Sequence, residues 1–239
     1  MVKLEIEIIK LEKIKKDFGC GDSKVNALKV IDFTLNAGEF IVILGPSGSG
    51  KSTLLNIMGT LEKPSDGTVT YFGKSIGEMK KNKIMELRKK HIGFIFQAYH
   101  LFGNLTAKEN VLIGEYLAPG EIDINTLLND IGLGNKQNKF PYQLSGGEQQ
   151  RVAIARALAK KTSVLFCDEP TGALDTKTGI VILSLLKAMQ ESRGVSIVLA
   201  THNPKIGNIA DRIISMKDGE IVSEEINKTP LSVEEVEWS

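Results

Sequence analysis

Cysteine and histidine are scarce, with two of one and three of the other in 239 residues. Zinc sites and disulfide frameworks need clustered Cys or Cys/His at fixed spacing. Cys20 and Cys167 stand far apart, so neither is expected. Cys167 lies in a strand-like apolar run and reads as a small buried hydrophobe. Long apolar runs are also missing: none approaches the roughly 18–20 residues that span a bilayer, so no direct membrane span is expected. The N-terminal MVKLEIEIIKLEKIKKDFG mixes acids, bases and apolar residues and does not read as a signal peptide. The expectation is a cytoplasmic protein. Nor is there an excess of one charge. The formal net charge is +1, whereas binding a phosphate backbone takes a marked basic excess, so nucleic acid is not expected as a partner. The densest basic stretch, Lys80–Lys90, reads as a solvated helix face.

What remains is an ordinary globular composition, 42% hydrophobic and 25% charged, with ample material for a core. Three short apolar runs read as buried strands: Phe40–Leu44, Val164–Cys167 and Val195–Ala200. Between them lie helical patterns beginning near Gly50, at Glu148–Lys161 and at Gly179–Met189. Leu4–Glu12 and Thr68–Phe72 suggest a further antiparallel layer. Ile213–Met216 and Glu220–Val222 suggest a closing hairpin around Lys217-Asp218-Gly219. From Asn110 to Asn138 the helical character is weak and broken by Pro119-Gly120. Strands alternating with helices predict a mostly parallel α/β sheet.

The first strand runs into Gly45-Pro46-Ser47-Gly48-Ser49-Gly50-Lys51-Ser52, followed by Thr53, a full match to G-x-x-x-x-G-K-[ST]. Glycines let backbone N–H groups converge on phosphate oxygens, and the following helix adds the positive end of its dipole. Lys51 is placed to reach the β- and γ-phosphates and Ser52 to ligate Mg²⁺. The residues from Gly45 to Thr53 therefore predict a nucleoside triphosphate site for ATP with Mg²⁺. The second strand ends in Asp168-Glu169. Here Asp168 is read as the acid of the metal shell, acting through water, and Glu169 as the base that polarises an attacking water.

Leu144-Ser145-Gly146-Gly147-Glu148-Gln149-Gln150-Arg151 is a second glycine-rich helix start, redundant for a single site in one chain. It makes sense if it faces a phosphate held by another copy. At this point the sequence closely resembles the nucleotide-binding subunits of ABC transporters, whose signature is LSGGQ, with Glu148 in place of the usual glutamine. The resemblance runs to about Val222 and implies a P-loop NTPase core with an N-terminal antiparallel β layer and a helical subdomain. In a single domain spanning 1–239, the core and β layer would take about 1–97 and 156–226, the helical subdomain about 98–155, and a peripheral tail 227–239. It implies further roles: Gln97 as the Q-loop glutamine touching metal or water, Asp175 (in Ala173-Leu174-Asp175) as the D-loop acid, and His202 as the switch histidine. Ser145, Gly146, Gly147 and Glu148 would complete the partner's site. Phe18 stands where the family places an adenine-stacking aromatic, although an ordinary strand-end phenylalanine is the alternative.

The resemblance implies an ATPase that forms a head-to-tail homodimer on ATP and drives a separate transmembrane permease, peripheral on the inner face of the membrane. Thr201-His202-Asn203-Pro204 and Ile206–Arg212 look most like the branch serving macrolide and antimicrobial-peptide exporters and lipoprotein-release systems. A cell-division type of regulatory ATPase, or a soluble non-transport ABC ATPase, are the alternatives. The stretch between Asn110 and Leu144 is shorter than that branch leads one to expect. Ala98–Leu105, with Tyr99, His100 and Phe102, is either the permease contact or ordinary packing.

Overall fold

The N-terminal apolar alternation forms strand β1 (Glu7–Phe18), paired antiparallel on one side with β2 (Val25–Asn36) and on the other with β4 (Asp66–Tyr71), which continues to the short β5 (Lys74–Ser75). The protein's structure is a computed structural model that describes residues 6–117, 123–172 and 174–237; Pro119, Gly120 and Ala173, singled out above, lie outside the described residues. Strand β1 runs farther than the period-2 pattern suggests. Register shifts between Leu11 and Lys16, with Lys13 at a φ of 52°, interrupt the alternation without ending the pairing.

The second sheet has the order β10-β9-β3-β8-β7-β6. Its strands are β3 (Phe40–Leu44), β6 (Ile92–Ile95), β7 (Val164–Asp168), β8 (Ser196–Thr201), β9 (Arg212–Lys217) and β10 (Glu220–Ile226). All neighbours pair in parallel except the edge hairpin β9–β10. The α/β class, with an antiparallel layer beside a mostly parallel sheet, is as expected.

Because successive side chains point to opposite faces, the central strands feed two separate cores. Phe40, Val42, Leu165, Cys167, Ile197 and Leu199 face the helices α3 (Ala107–Leu117), α4 (Ile124–Asp130), α5 (Gly146–Leu158) and α6 (Thr176–Arg193). Ile41, Ile43, Val164, Phe166, Val198 and Ala200 face α1 (Lys51–Met58) and the antiparallel layer. Helix α2 (Lys81–His91) buries only Leu87, so the lysine-rich stretch is indeed a solvated helix. Helix α5 runs without a break across the subdomain boundary expected near 155. The tail is less peripheral than its polarity suggests, since Val233 and Val236 are buried in the core that α6 joins.

Register sets the site. Leu44 pairs with Thr201, Asp168 with Ala200 and Ile95 with Cys167. The C-terminal ends of β3, β6, β7 and β8 thus deliver Gly45, Gln97, Glu169 and His202 to one rim, where ligands of open α/β sheets bind.

The two sheets are joined by Arg212. Its Nε contacts Glu39 at 2.8 Å and its Nη1 contacts Glu224 at 2.8 Å. Nη2 donates to the Thr34 carbonyl, and the guanidinium stands 5.3 Å from the Phe33 ring. Burial pushes the Glu39 carboxyl up while Asn36 N–H and Arg212 pull it down. Arg212→Ala would leave Glu39 half-buried without its cation. The expected cost is about 3 kcal/mol, a fall in melting temperature of roughly 6–12 °C, read from thermal melts of the nucleotide-free protein.

Candidate nucleotide site

The loop after β3 turns on glycines that only glycine serves well. Gly48 and Gly50 have φ of 80° and 98°, and a Cβ on Gly50 would stand 2.8 Å from the Ala27 carbonyl oxygen. Helix α1 then begins with Gly50 as N-cap, without a side-chain cap, leaving its first N–H groups for a ligand. Lys51 is buried and its Nζ donates to the carbonyls of Gly45 at 2.7 Å and Pro46 at 2.9 Å. Ser49 is buried too, and its hydroxyl is an orphan among the described residues. An orphaned buried polar group inside a positively charged cradle fits an anion that supplies the missing partner.

A cavity of about 1150 Å³ opens over this loop. The whole stretch from Ser47 to Thr53 lines it, together with Gln97, Asp168, Glu169 and His202 from the neighbouring strand ends. Burial raises the Asp168 carboxyl; the Ser52 hydrogen bond works against this, the Glu169 charge adds to it, and the Lys51 charge opposes it. Glu169 adopts φ of 48°, left-handed for a residue with a side chain. Its carboxylate is fixed at both oxygens: Thr201 Oγ1 donates to Oε2 at 3.1 Å, and His202 Nδ1 lies 3.0 Å from Oε1. The acid, its two neighbours and the phosphate loop therefore meet at one place.

Not every expected residue joins them. Ser145, Gly146, Gly147 and Glu148 do not line the cavity. They open α5, where the Ser145 hydroxyl accepts from Glu148 N–H at 3.4 Å and Glu148 Oε2 accepts from Ser145 N–H at 2.9 Å. Asp175 is also outside, exposed and occupied as N-cap of α6. Its carboxyl is pulled below the usual range by the Thr178 hydroxyl and N–H. Phe18 is half-exposed with Lys16 Nζ 4.7 Å from its ring centre, and it does not line the cavity. Its register partner Val25 does, with Asn26 and Ala27.

The matched family is "ABC transporter", over residues 28–172. The chain belongs to this family of ATP-binding cassettes. An ABC transporter ATP-binding protein of Methanocaldococcus jannaschii is 45% identical over 226 residues, covering 92% of this chain and 100% of the relative. A macrolide export ATP-binding/permease protein of Aeromonas hydrophila is 44% identical over 222 residues, 91% of this chain but 34% of the relative. This chain thus spans about a third of the macrolide export proteins it matches. Among solved structures, a dimeric ATP-binding cassette in a post-hydrolysis state, bound to ADP and Pi, superposes with a TM-score of 0.85 at 39% identity, covering 93% of this chain and 100% of the other.

In this cassette the glutamate at the signature position has a structural reason. Glu148 closes a capping box with Ser145 and forms an ion pair with Lys136. Glutamine would keep the box and lose the ion pair. Lys136 and the Ser145 N–H hold the Glu148 carboxyl below its usual range. Three residues not expected at this site also shape it: Thr201 on Glu169, and Tyr99 and Gln150 in the cavity wall. The Tyr99 hydroxyl lies 3.0 Å from where a Cβ on Gly146 would be, so this glycine lets the segment after Gln97 lie against the signature. Within Ala98–Leu105, Leu101 packs on the core while Phe102 is exposed.

Proposed function

We propose that the chain is the ATP-hydrolysing motor of a membrane exporter or extractor, working as a head-to-tail pair of cassettes on a separate permease. The observation that carries this is the division of the motifs: Lys51, Asp168, Glu169 and His202 share one cavity, while Ser145 and Gly146 stand outside it at a helix start. A site built this way is completed by a second copy. The likeness to a dimeric cassette supports the pairing, and the likeness to macrolide export proteins favours export; the proposed cargo is a drug, peptide or lipoprotein. No helix among the described residues is long and apolar enough to cross a membrane, so the spanning part belongs to another chain or segment.

In the working site the loop N–H groups and Lys51 hold the β- and γ-phosphates. Mg²⁺, when bound, offsets phosphate charge. Ser52, Asp168 through water, and Gln97 provide the hard oxygen donors such an ion takes. Among the described residues no group of three or more His, Cys, Asp or Glu forms a cation cage, which suits an ion held mainly by substrate phosphates. Glu169 accepts the proton of the attacking water, while Thr201 and His202 keep its carboxylate in place. Asp175 at the head of α6 meets the partner across the interface, and Phe18 flanks the adenine end of the cavity. The permease docks on a groove of about 330 Å³ between sheet and helical lobe, lined by Phe94, Phe96, Ile113 and Leu117, with Phe102 nearby in sequence.

Ser145→Arg tests the pairing. It is expected to leave ATP binding to the monomer within about twofold by calorimetry and to abolish ATP-dependent dimerisation and turnover; losing the cap itself costs only about 1 kcal/mol. Unchanged turnover in the purified variant would remove the signature from the mechanism.

A further inference from the structure

Gln150 is a polar residue on the apolar side of α5, 1% exposed and flanked at helical spacing by Ala153, Ile154 and Ala157. Burying a carboxamide is costly unless its polar atoms are used. Here the donor end is in use: Nε2 donates to the Pro170 carbonyl at 2.5 Å and to the Glu169 carbonyl at 3.4 Å. The acceptor Oε1 has no partner among the described residues. The next residue grips the far end of the same segment, with Arg151 Nη1 3.4 Å from Thr178 Oγ1, the hydroxyl that also binds Asp175.

The held backbone needs holding. A left-handed φ on a residue with a side chain is disfavoured and persists only when its surroundings over-determine it. At Glu169 the bonds that do so are Glu169 N–H to Ala200 O at 3.0 Å, Gly172 N–H to Glu169 O at 3.2 Å, and the Gln150 amide. Two of the three come from the strand and turn. The third comes from the helix that starts at Ser145.

We infer that Gln150 is a positioning residue: it sets the backbone of Glu169 and links it to the signature helix, so that engagement of Ser145 by a partner chain adjusts the carboxylate of the chain's own site. Gln150 lies five positions on from Ser145, about 7.5 Å along a stiff axis, and a buried side chain with its donors occupied passes on that shift instead of absorbing it. The inference rests on the reading of Glu169 as the base and of the signature as acting on the partner.

The test compares Gln150→Leu and Gln150→Glu in the full chain by ATP turnover between pH 6 and 8.5, normalised to the unsubstituted protein, with melting temperatures alongside. For leucine, kcat is expected to fall about 10–30-fold while KM for ATP stays within twofold and the melting temperature within a few degrees. For glutamate the loss is expected to be deeper at pH 8, where a carboxylate would face two carbonyls. It should recover towards or above the leucine level near pH 6, where a buried, protonated carboxyl becomes a donor again. Gln150→Met gives the same comparison if the leucine variant melts early. A leucine kcat within twofold of the unsubstituted protein would overturn the inference, as would equal profiles for the two variants with losses that track melting temperature. Glu169→Gln serves as control: if it turns over normally, the base assignment fails. If it is inactive while Gln150→Leu is fully active, only the role of Gln150 fails.

Discussion

Glu169→Gln is expected to keep ATP affinity within about threefold and to lower turnover by about 10²–10⁴-fold, the range that positioned proton transfer supplies. The substitution is nearly isosteric, so the amide still meets Thr201 and His202, which now fix Oε2 and Oε1 at 3.1 and 3.0 Å. What it cannot do is take a proton from water. With the nucleotide intact between two chains, the closed pair has no route to open. The variant should therefore elute as a dimer at saturating ATP with Mg²⁺ and as a monomer without nucleotide. A monomer under both conditions would contradict the composite site, and normal turnover would contradict the base.

Lys51→Ala is expected to abolish tight nucleotide binding. A charge-assisted hydrogen bond contributes about 1.5–3 kcal/mol, and contacts to two phosphates together correspond to roughly 10²–10⁴ in affinity. The ammonium also ties the loop entrance through the Gly45 and Pro46 carbonyls at 2.7 and 2.9 Å, so alanine loosens the cradle before any ligand arrives. Calorimetric titration with ATP and Mg²⁺ reads the first effect. It also removes the rise in melting temperature that nucleotide gives by mass action, while the second effect appears as a much smaller shift of the nucleotide-free melt. Undiminished affinity would remove Lys51 from the site.

The central strands were legible because a strand buried on both faces needs apolar residues at nearly every position, and Phe40–Leu44, Val164–Cys167 and, apart from Ser196, Val195–Ala200 are written that way. The antiparallel layer was read less well. Much of β2 is exposed on alternate residues and β1 carries register shifts, so neither shows an uninterrupted period of two. The buried tail valines, Val233 and Val236, sit in and just after a one-turn element too short for periodicity to mark.

At the site, Lys51, Ser52, Asp168, Glu169 and His202 could be named from motifs because their chemistry dictates local spacing, and strand register brings them together. Phe18, expected to stack on adenine, does not line the cavity itself: an aromatic at a strand end says nothing of its cross-strand register, and the wall beside it is made by its partner Val25 and the residues that follow. Gln150 was overlooked, yet it left a trace. An amide standing in line with Ala153, Ile154 and Ala157 on an apolar stripe implies a buried polar contact, whose carbonyl acceptors only the folded chain reveals.

The alternation of the central strands between two cores has a consequence for how such a protein changes over generations. A substitution at Val42 or Leu199 is felt on the helical side, one at Ile43 or Val198 on the nucleotide-helix side. Drift in the packing beneath the helices can therefore proceed by side-chain exchange on one face, leaving the packing of the opposite face undisturbed. One sheet can in this way carry two packing surfaces that are inherited separately.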